Sequence, residues 1–82
     1  MSKHEPIYLS EFAELVGLDE KRWEVAIDKQ KSSGDRKVIV WVRDKMTGLQ
    51  LVDAIGGRFT KEQLDRHAKR IAQELAKRIL GD

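Results

Sequence analysis

Trp23-Glu24-Val25-Ala26-Ile27-Asp28, then Ser32-Ser33-Gly34-Asp35, then Val38-Ile39-Val40-Trp41-Val42, form the stretch whose reading decides the fold. Trp23, Val25 and Ile27 alternate with Glu24, Ala26 and Asp28 as a half-buried strand does, yet Trp23, Ala26 and Ile27 would also line one side of a helix. Two features select the strand. Ser32-Ser33-Gly34-Asp35 is turn chemistry midway between two apolar runs. Folding a hairpin about Ser33-Gly34 sets Ile27 opposite Val40 and Val25 opposite Val42, so the apolar rows coincide. The second run is apolar on both faces, which predicts a central strand with cover on each side.

Working outward, Asp44-Lys45-Met46-Thr47-Gly48 predicts a second tight connection. Leu49-Gln50-Leu51-Val52-Asp53-Ala54-Ile55 then returns as a third strand, which Gly56-Gly57 should break. Thr60 with Gln63 three residues on is a capping box, and residues 61–80 carry a helical stripe of Leu64, Ala68, Ile71, Leu75 and Ile79, widened by Ala72 and Ala76 and stopped at Gly81. Upstream, Ser10 stands where an N-cap belongs, Phe12, Leu15 and Val16 share one helical face, and Gly17 ends a short helix over residues 10–16. Residues 1–6, ending at Pro6, are expected to be a disordered lead and residues 7–82 a single domain. The fold class is therefore α+β: a short N-terminal helix, a three-stranded antiparallel meander and a long C-terminal amphipathic helix.

One amphipathic stripe and one apolar sheet face require each other, so the long helix should cover Val25, Ile27, Val40, Val42 and Leu51. The opposite face carries Ile39, Trp41, Val52 and Ala26 among Glu24, Gln50 and Arg43. The first helix is expected to shield part of that face, with Trp41 either packed under Phe12 and Leu15 or left in a contact patch for a protein partner or a second copy of the chain.

Composition narrows the function classes. Eighty-two residues have room for about two helices and three or four strands, too few to wall a deep substrate cleft. Cysteine is absent, so no disulfide or thiolate metal site exists, and a reducing, cytoplasmic setting is expected. No apolar run approaches the roughly twenty residues of a membrane span. The net charge is only +2, yet residues 1–20 carry one lysine against five acidic residues while the cations concentrate beyond them. Such asymmetry is compatible with a polyanionic partner.

No catalytic constellation stands out. His4 and His67 share neither a helix face nor a ligand spacing, the serines fall in turns and caps, and Gly56-Gly57 lacks the context of a phosphate loop. No enzyme activity, cofactor, metal or membrane contact is expected. The cations are more orderly. Arg66, Lys69, Arg70, Gln73 and Lys77 follow spacings of three and four, which predicts a basic ridge opposite the apolar stripe. Lys29, Lys31, Arg36 and Lys37 flank the Ser33-Gly34 turn and would decorate the hairpin tip. A solvated helix face and a hairpin tip also favour Lys and Arg on solubility grounds alone.

Trp23-x-Val25-x-Ile27, the Gly34-containing turn, the second strand and Phe59-Thr60-Lys61 opening a helix resemble the small arm-type DNA-binding domains of phage integrases across residues 22–80. That resemblance implies a three-stranded sheet entering the major groove, and this chain departs from it by an added N-terminal helix and an apolar central strand. The element order is also similar to double-stranded RNA-binding domains, but Lys61-Glu62-Gln63-Leu64 stands where their Lys-Lys-x-Ala-Lys cluster would be. An alternative reads Phe12-Ala13-Glu14-Leu15-Val16-Gly17-Leu18 as the front of a helix-turn-helix, with residues 20–31 as a recognition helix and the hairpin as a wing. Glu20, Glu24 and Asp28 would make that helix acidic for a phosphate partner.

Two functions follow as expectations. The first is a small non-enzymatic nucleic-acid-binding regulatory domain that touches DNA or RNA phosphates through the ridge and the hairpin tip. The second is a protein-interaction module, an inhibitor or adaptor of the kind phages and mobile elements encode, using Trp41, Ile39 and Val52 or the acidic first helix.

Overall fold

The computed structural model describes residues 6–81. Most of the expected lead, residues 1–5 with His4, lies outside the described residues. The elements are α1 (Ser10–Leu15), β1 (Trp23–Ser32), β2 (Asp35–Asp44), β3 (Gln50–Gly57) and α2 (Lys61–Leu80). The three strands form one antiparallel sheet in the order β1-β2-β3, which removes the helix-turn-helix alternative: residues 23–32 are extended.

The hairpin register is the one the apolar rows require, with Val25 opposite Val42 and Ile27 opposite Val40. Ser33 and Gly34 both have positive φ, 48° and 88°, as the two central residues of a type I′ turn must, and this turn matches the twist of the strands it joins. β3 runs further than expected, because Gly56 and Gly57 stay extended and pair with Lys37 and Arg36 instead of breaking the strand. The backbone of β2 offers partners there, and Gly57 continues the strand at φ 153°, a conformation that glycine adopts readily and other residues rarely.

The core lies on one side of the sheet. Val25, Val38, Val40 and Val42 are completely buried against Leu64, Ala68, Ile71, Ala72, Leu75 and Ala76 of α2. β-branched side chains suit a pleated surface, and each fully buried valine contributes about 1.5–3 kcal/mol. α2 has the expected ends. Thr60 Oγ1 accepts from the Gln63 N–H at 3.1 Å, Gln63 Oε1 accepts from the Thr60 N–H at 2.9 Å, and Gly81 closes the helix in the left-handed region. α2 lies over β2 and β3, but Leu51 at the rim remains 36% exposed.

α1 does not shield the opposite face. It packs on the same side as α2, with Ala13 and Val16 buried in the common core, Phe12 against it, and Leu15 70% exposed. A helix of six residues has no stability of its own, so tertiary contacts decide its position. Gln73 of α2 reaches across and donates from Nε2 to the Val16 carbonyl at 2.9 Å. The end of α1 is a Schellman turn: Leu18 N–H to Ala13 O at 2.8 Å and Gly17 N–H to Glu14 O at 3.0 Å, with Gly17 at φ 81°. Its start also differs from expectation. Leu9, not Ser10, is the N-cap and offers no side-chain bond, because Leu9 is held extended by a bridge to Val25 at the outer edge of β1.

Candidate nucleic-acid interface

The I′ turn and the register together arrange the hairpin cations. Lys31 stands opposite Arg36, Gln30 opposite Lys37 and Lys29 opposite Val38, so alternation places Lys29, Lys31 and Arg36 on the helix side of the ribbon and Lys37 on the other. Lys29 then joins the two predicted groups. Its Nζ lies 2.6 Å from Asp65 Oδ1, pinning β1 to the second turn of α2 and bringing Arg66 and Lys69 alongside. These residues line a hollow of about 360 Å³ together with Leu15, Ile27 and Ala68.

A second hollow, about 380 Å³, opens at the end of the sheet, lined by Lys31, Arg36 and Lys37, by the single carboxylate of Asp35 and by Gly56 and Gly57. Three cations against one carboxylate make this end of the sheet attractive to an anion, with the Phe59 ring packed over Gly57 and the Lys37 stem over Gly56. Arg58 follows immediately, its side chain 93% exposed and only loosely held, 3.9 Å from Asp35. Sequence reasoning passed over Arg58 and set the glycines aside as a strand break without the context of a phosphate loop. Had the strand been carried two residues further, Gly57 would have fallen opposite Arg36.

The ridge on α2 is shorter than its spacing suggested. Gln73 is occupied by Val16, and the Lys69 side chain runs beside Gly17. Arg70 is engaged with Glu74 at 3.3 Å and lies 3.3 Å from His67 Nδ1, while the His67 ring packs against Phe59 at 4.8 Å. Of the cations the sequence singled out, Lys31, Arg36, Lys37, Arg66, Lys69 and Lys77 have no carboxylate within ion-pair distance among the described residues. Lys77 stands apart toward the far end of α2. α1, with exposed Glu11 and Glu14, borders the ridge on the Lys69 side, where the Lys69 side chain runs beside Gly17.

The residues expected at a protein contact do come together on the other side of the sheet. Trp41 pairs with Val52 and Ile39 with Ala54; Ile39 and Trp41 are half-buried, and Val52 is 54% exposed. One end of this face is closed by a strap that the sequence did not announce. The Tyr8 ring lies 4.2 Å from the Arg43 guanidinium, its hydroxyl donates to Gln50 Oε1 at 3.0 Å, and Arg43 pairs with Glu24 at 2.7 Å. Partial burial pushes the Tyr8 phenol above its ordinary pKa, against the pull of Arg43 and with a smaller push from Glu24.

Among the described residues no cluster of His, Cys, Asp or Glu could hold a metal ion, and no helix is long and apolar enough to cross a membrane. No family model, curated protein or solved structure matches the chain.

Proposed function

We propose that the protein is a small, non-enzymatic nucleic-acid-binding domain that contacts phosphates with the hairpin end of its sheet and the first half of α2. The observation that carries this reading is the hollow where Lys31, Arg36 and Lys37 meet Gly56 and Gly57, with Arg58 beside its Asp35 and with Arg66 and Lys69 on the neighbouring hollow. Lys and Arg gathered at one end of the molecule suit phosphate oxygens, and such contacts set position without reading sequence. Regulatory use of a nucleic acid fits a domain of this size.

Titration of labelled duplex DNA and duplex RNA at two salt concentrations tests the reading. Binding should weaken steeply as salt rises, because each neutralised phosphate releases counterions. Absence of binding at low salt, or binding indifferent to salt, would refute it.

A second reading has its own observation. With both helices on one side of the sheet, no helix covers half-buried Ile39 and Trp41 or exposed Val52, an apolar group of the kind found at interface cores. If this face takes a protein partner, Trp41→Ala should abolish capture of that partner while leaving nucleic-acid affinity unchanged.

A further inference from the structure

The two edges of the sheet are guarded very differently. At the outer edge of β1, Leu9 pairs with Val25, its N–H donating to the Val25 carbonyl at 3.0 Å, and Lys29 and Lys31 follow. Paired backbone and lysines are two of the ways proteins keep an edge strand from recruiting another chain. β3 has neither protection. Between Met46 and Gly57 there is no Lys, Arg or Pro, and apolar side chains stand exposed on both faces: Leu49 at 56%, Leu51 at 36% and Val52 at 54%.

The hydrogen-bond phase of β3 follows from its start. The Asp44 N–H donates to the Leu49 carbonyl at 2.9 Å, and the register pairs Val42 with Leu51, Val40 with Asp53 and Val38 with Ile55. Antiparallel alternation then turns Leu51, Asp53 and Ile55 toward β2 and leaves the N–H and C=O groups of Gln50, Val52, Ala54 and Gly56 facing away from the sheet. The Leu9–Val25 bridge gives the same phase, since it makes Val25 an outward residue of β1 and leaves its neighbour Val42 to bond with β3. Ala54 agrees with it locally. Its N–H has turned to the carboxylate of its own neighbour, donating to Asp53 Oδ1 at 2.8 Å.

We infer that β3 pairs antiparallel with β3 of a second copy of this chain, joining two three-stranded sheets into one of six strands about a two-fold axis at Val52. The choice of partner rests on self-complementarity. Outward residues must meet outward residues, so registers with substantial overlap centre on Val52, Asp53 or Ala54. Centring on Asp53 sets two carboxylates directly opposite, which is repulsive. Centring on Ala54 spends Val52 and Leu51 opposite glycines. Centring on Val52 places that residue against its own copy, Gln50 against Ala54, and Leu49 against Ile55, with Leu51 beside the partner's Asp53. On the open face it also makes one continuous apolar row, Trp41 and Val52 of one protomer meeting Val52 and Trp41 of the other. Short strand pairing of this kind is at the small end of interface sizes, so the dimer should exchange with monomer.

Sedimentation of the whole chain from about 10 μM to about 1 mM, where a small interface exchanges, should show the mass rising from one copy to two. Val52→Pro is the discriminating variant. It deletes an N–H that faces away from β2, so the sheet's own ladder is retained while the proposed pairing is abolished. Val52→Lys should likewise remain monomeric, with unchanged circular dichroism. The chain has no cysteine, so Val52→Cys introduces a single thiol. Facing residues of a hydrogen-bonded pair lie about 5.5 Å apart, within disulfide reach, and oxidation should cross-link this variant faster than Ala54→Cys. A monomer throughout the range, or a dimer undiminished by both Val52→Pro and Val52→Lys, would overturn the inference and leave the edge to some other chain.

Discussion

Asp44 shows how much one buried charge organises. It is 1% exposed, yet every demand of its carboxylate is met: Arg22 Nη2 donates to Oδ2 at 3.1 Å, Arg22 Nε to Oδ1 at 3.4 Å, and the Met46 N–H to Oδ1 at 2.9 Å. The same residue therefore fixes the start of the β2–β3 connection and ties it to the entrance of β1. The Arg22 hydrogen bond, helped by the Met46 N–H, the Arg22 charge and the Thr47 hydroxyl and opposed by burial, holds the carboxyl below its ordinary value of 3.8. A carboxyl with a depressed folded-state pKa stabilises the fold fully above that ordinary value, and the contribution disappears as pH falls through the lowered one. Thermal melts taken from about pH 5 down to about pH 2 should thus show Tm falling in the wild type, and Asp44→Asn should have a lower Tm at pH 5 with a shallower acid decline. At Gly17 the constraint is steric. A Cβ there would stand 2.8 Å from Gln73 Nε2 in a backbone region costly to other residues. Gly17→Ala should destabilise by about 1–3 kcal/mol, measured by urea unfolding, by unseating α1 from α2.

At the scale of elements, ends and turns carry separable contributions. Thr60→Ala removes one half of the capping box of α2 and should cost about 1 kcal/mol, a Tm drop of roughly 4–8 °C in a domain of this size, read by calorimetry. β1, β2 and α2 were legible because their signals are local: alternation at Trp23, Val25 and Ile27, the Ser33-Gly34 turn, and the cap residues of the helix all act within a few positions of themselves. α1 was legible as a helix but not as to place. Phe12, Ala13 and Val16 would fit against either sheet face, and the bond that decides between them joins Val16 to Gln73, 57 residues away. The strap formed by Tyr8 was hidden for the same reason. Its partners Arg43 and Gln50 become neighbours of the N-terminal segment only once the sheet exists.

For the whole molecule, the common core under both helices governs stability. A chain of 82 residues has a total of about 4–12 kcal/mol, and Leu75→Ala at 2% exposure should remove about 2–5 kcal/mol of it, seen as a lower urea midpoint. The cationic surface is a property of the same scale, because Lys31, Arg36 and Lys37 gain meaning only when β3 brings its glycines beside them. Replacing those three by Ala should lower the slope of log affinity against log salt by about one for each phosphate no longer neutralised, whereas the same change at Lys77, remote from the hollow, should leave the slope nearly intact. The sequence pointed to both groups of cations but could not show which were already engaged. Lys29 is held by Asp65 and Arg70 by Glu74, pairings that only the folded chain reveals for the first and that compete with solvent for the second.

The alternating phase of β3 has an outcome visible amide by amide. In deuterated buffer the protons of Leu51, Asp53 and Ile55 are locked into the ladder and should exchange slowly, while those of Gln50, Val52 and Gly56 should exchange at once, with Ala54 slowed by its bond to Asp53. Such a comb of fast and slow signals along the eight residues of the strand would locate the open border of the sheet in solution, and its teeth should fill in at Gln50 and Val52 whenever that border is occupied.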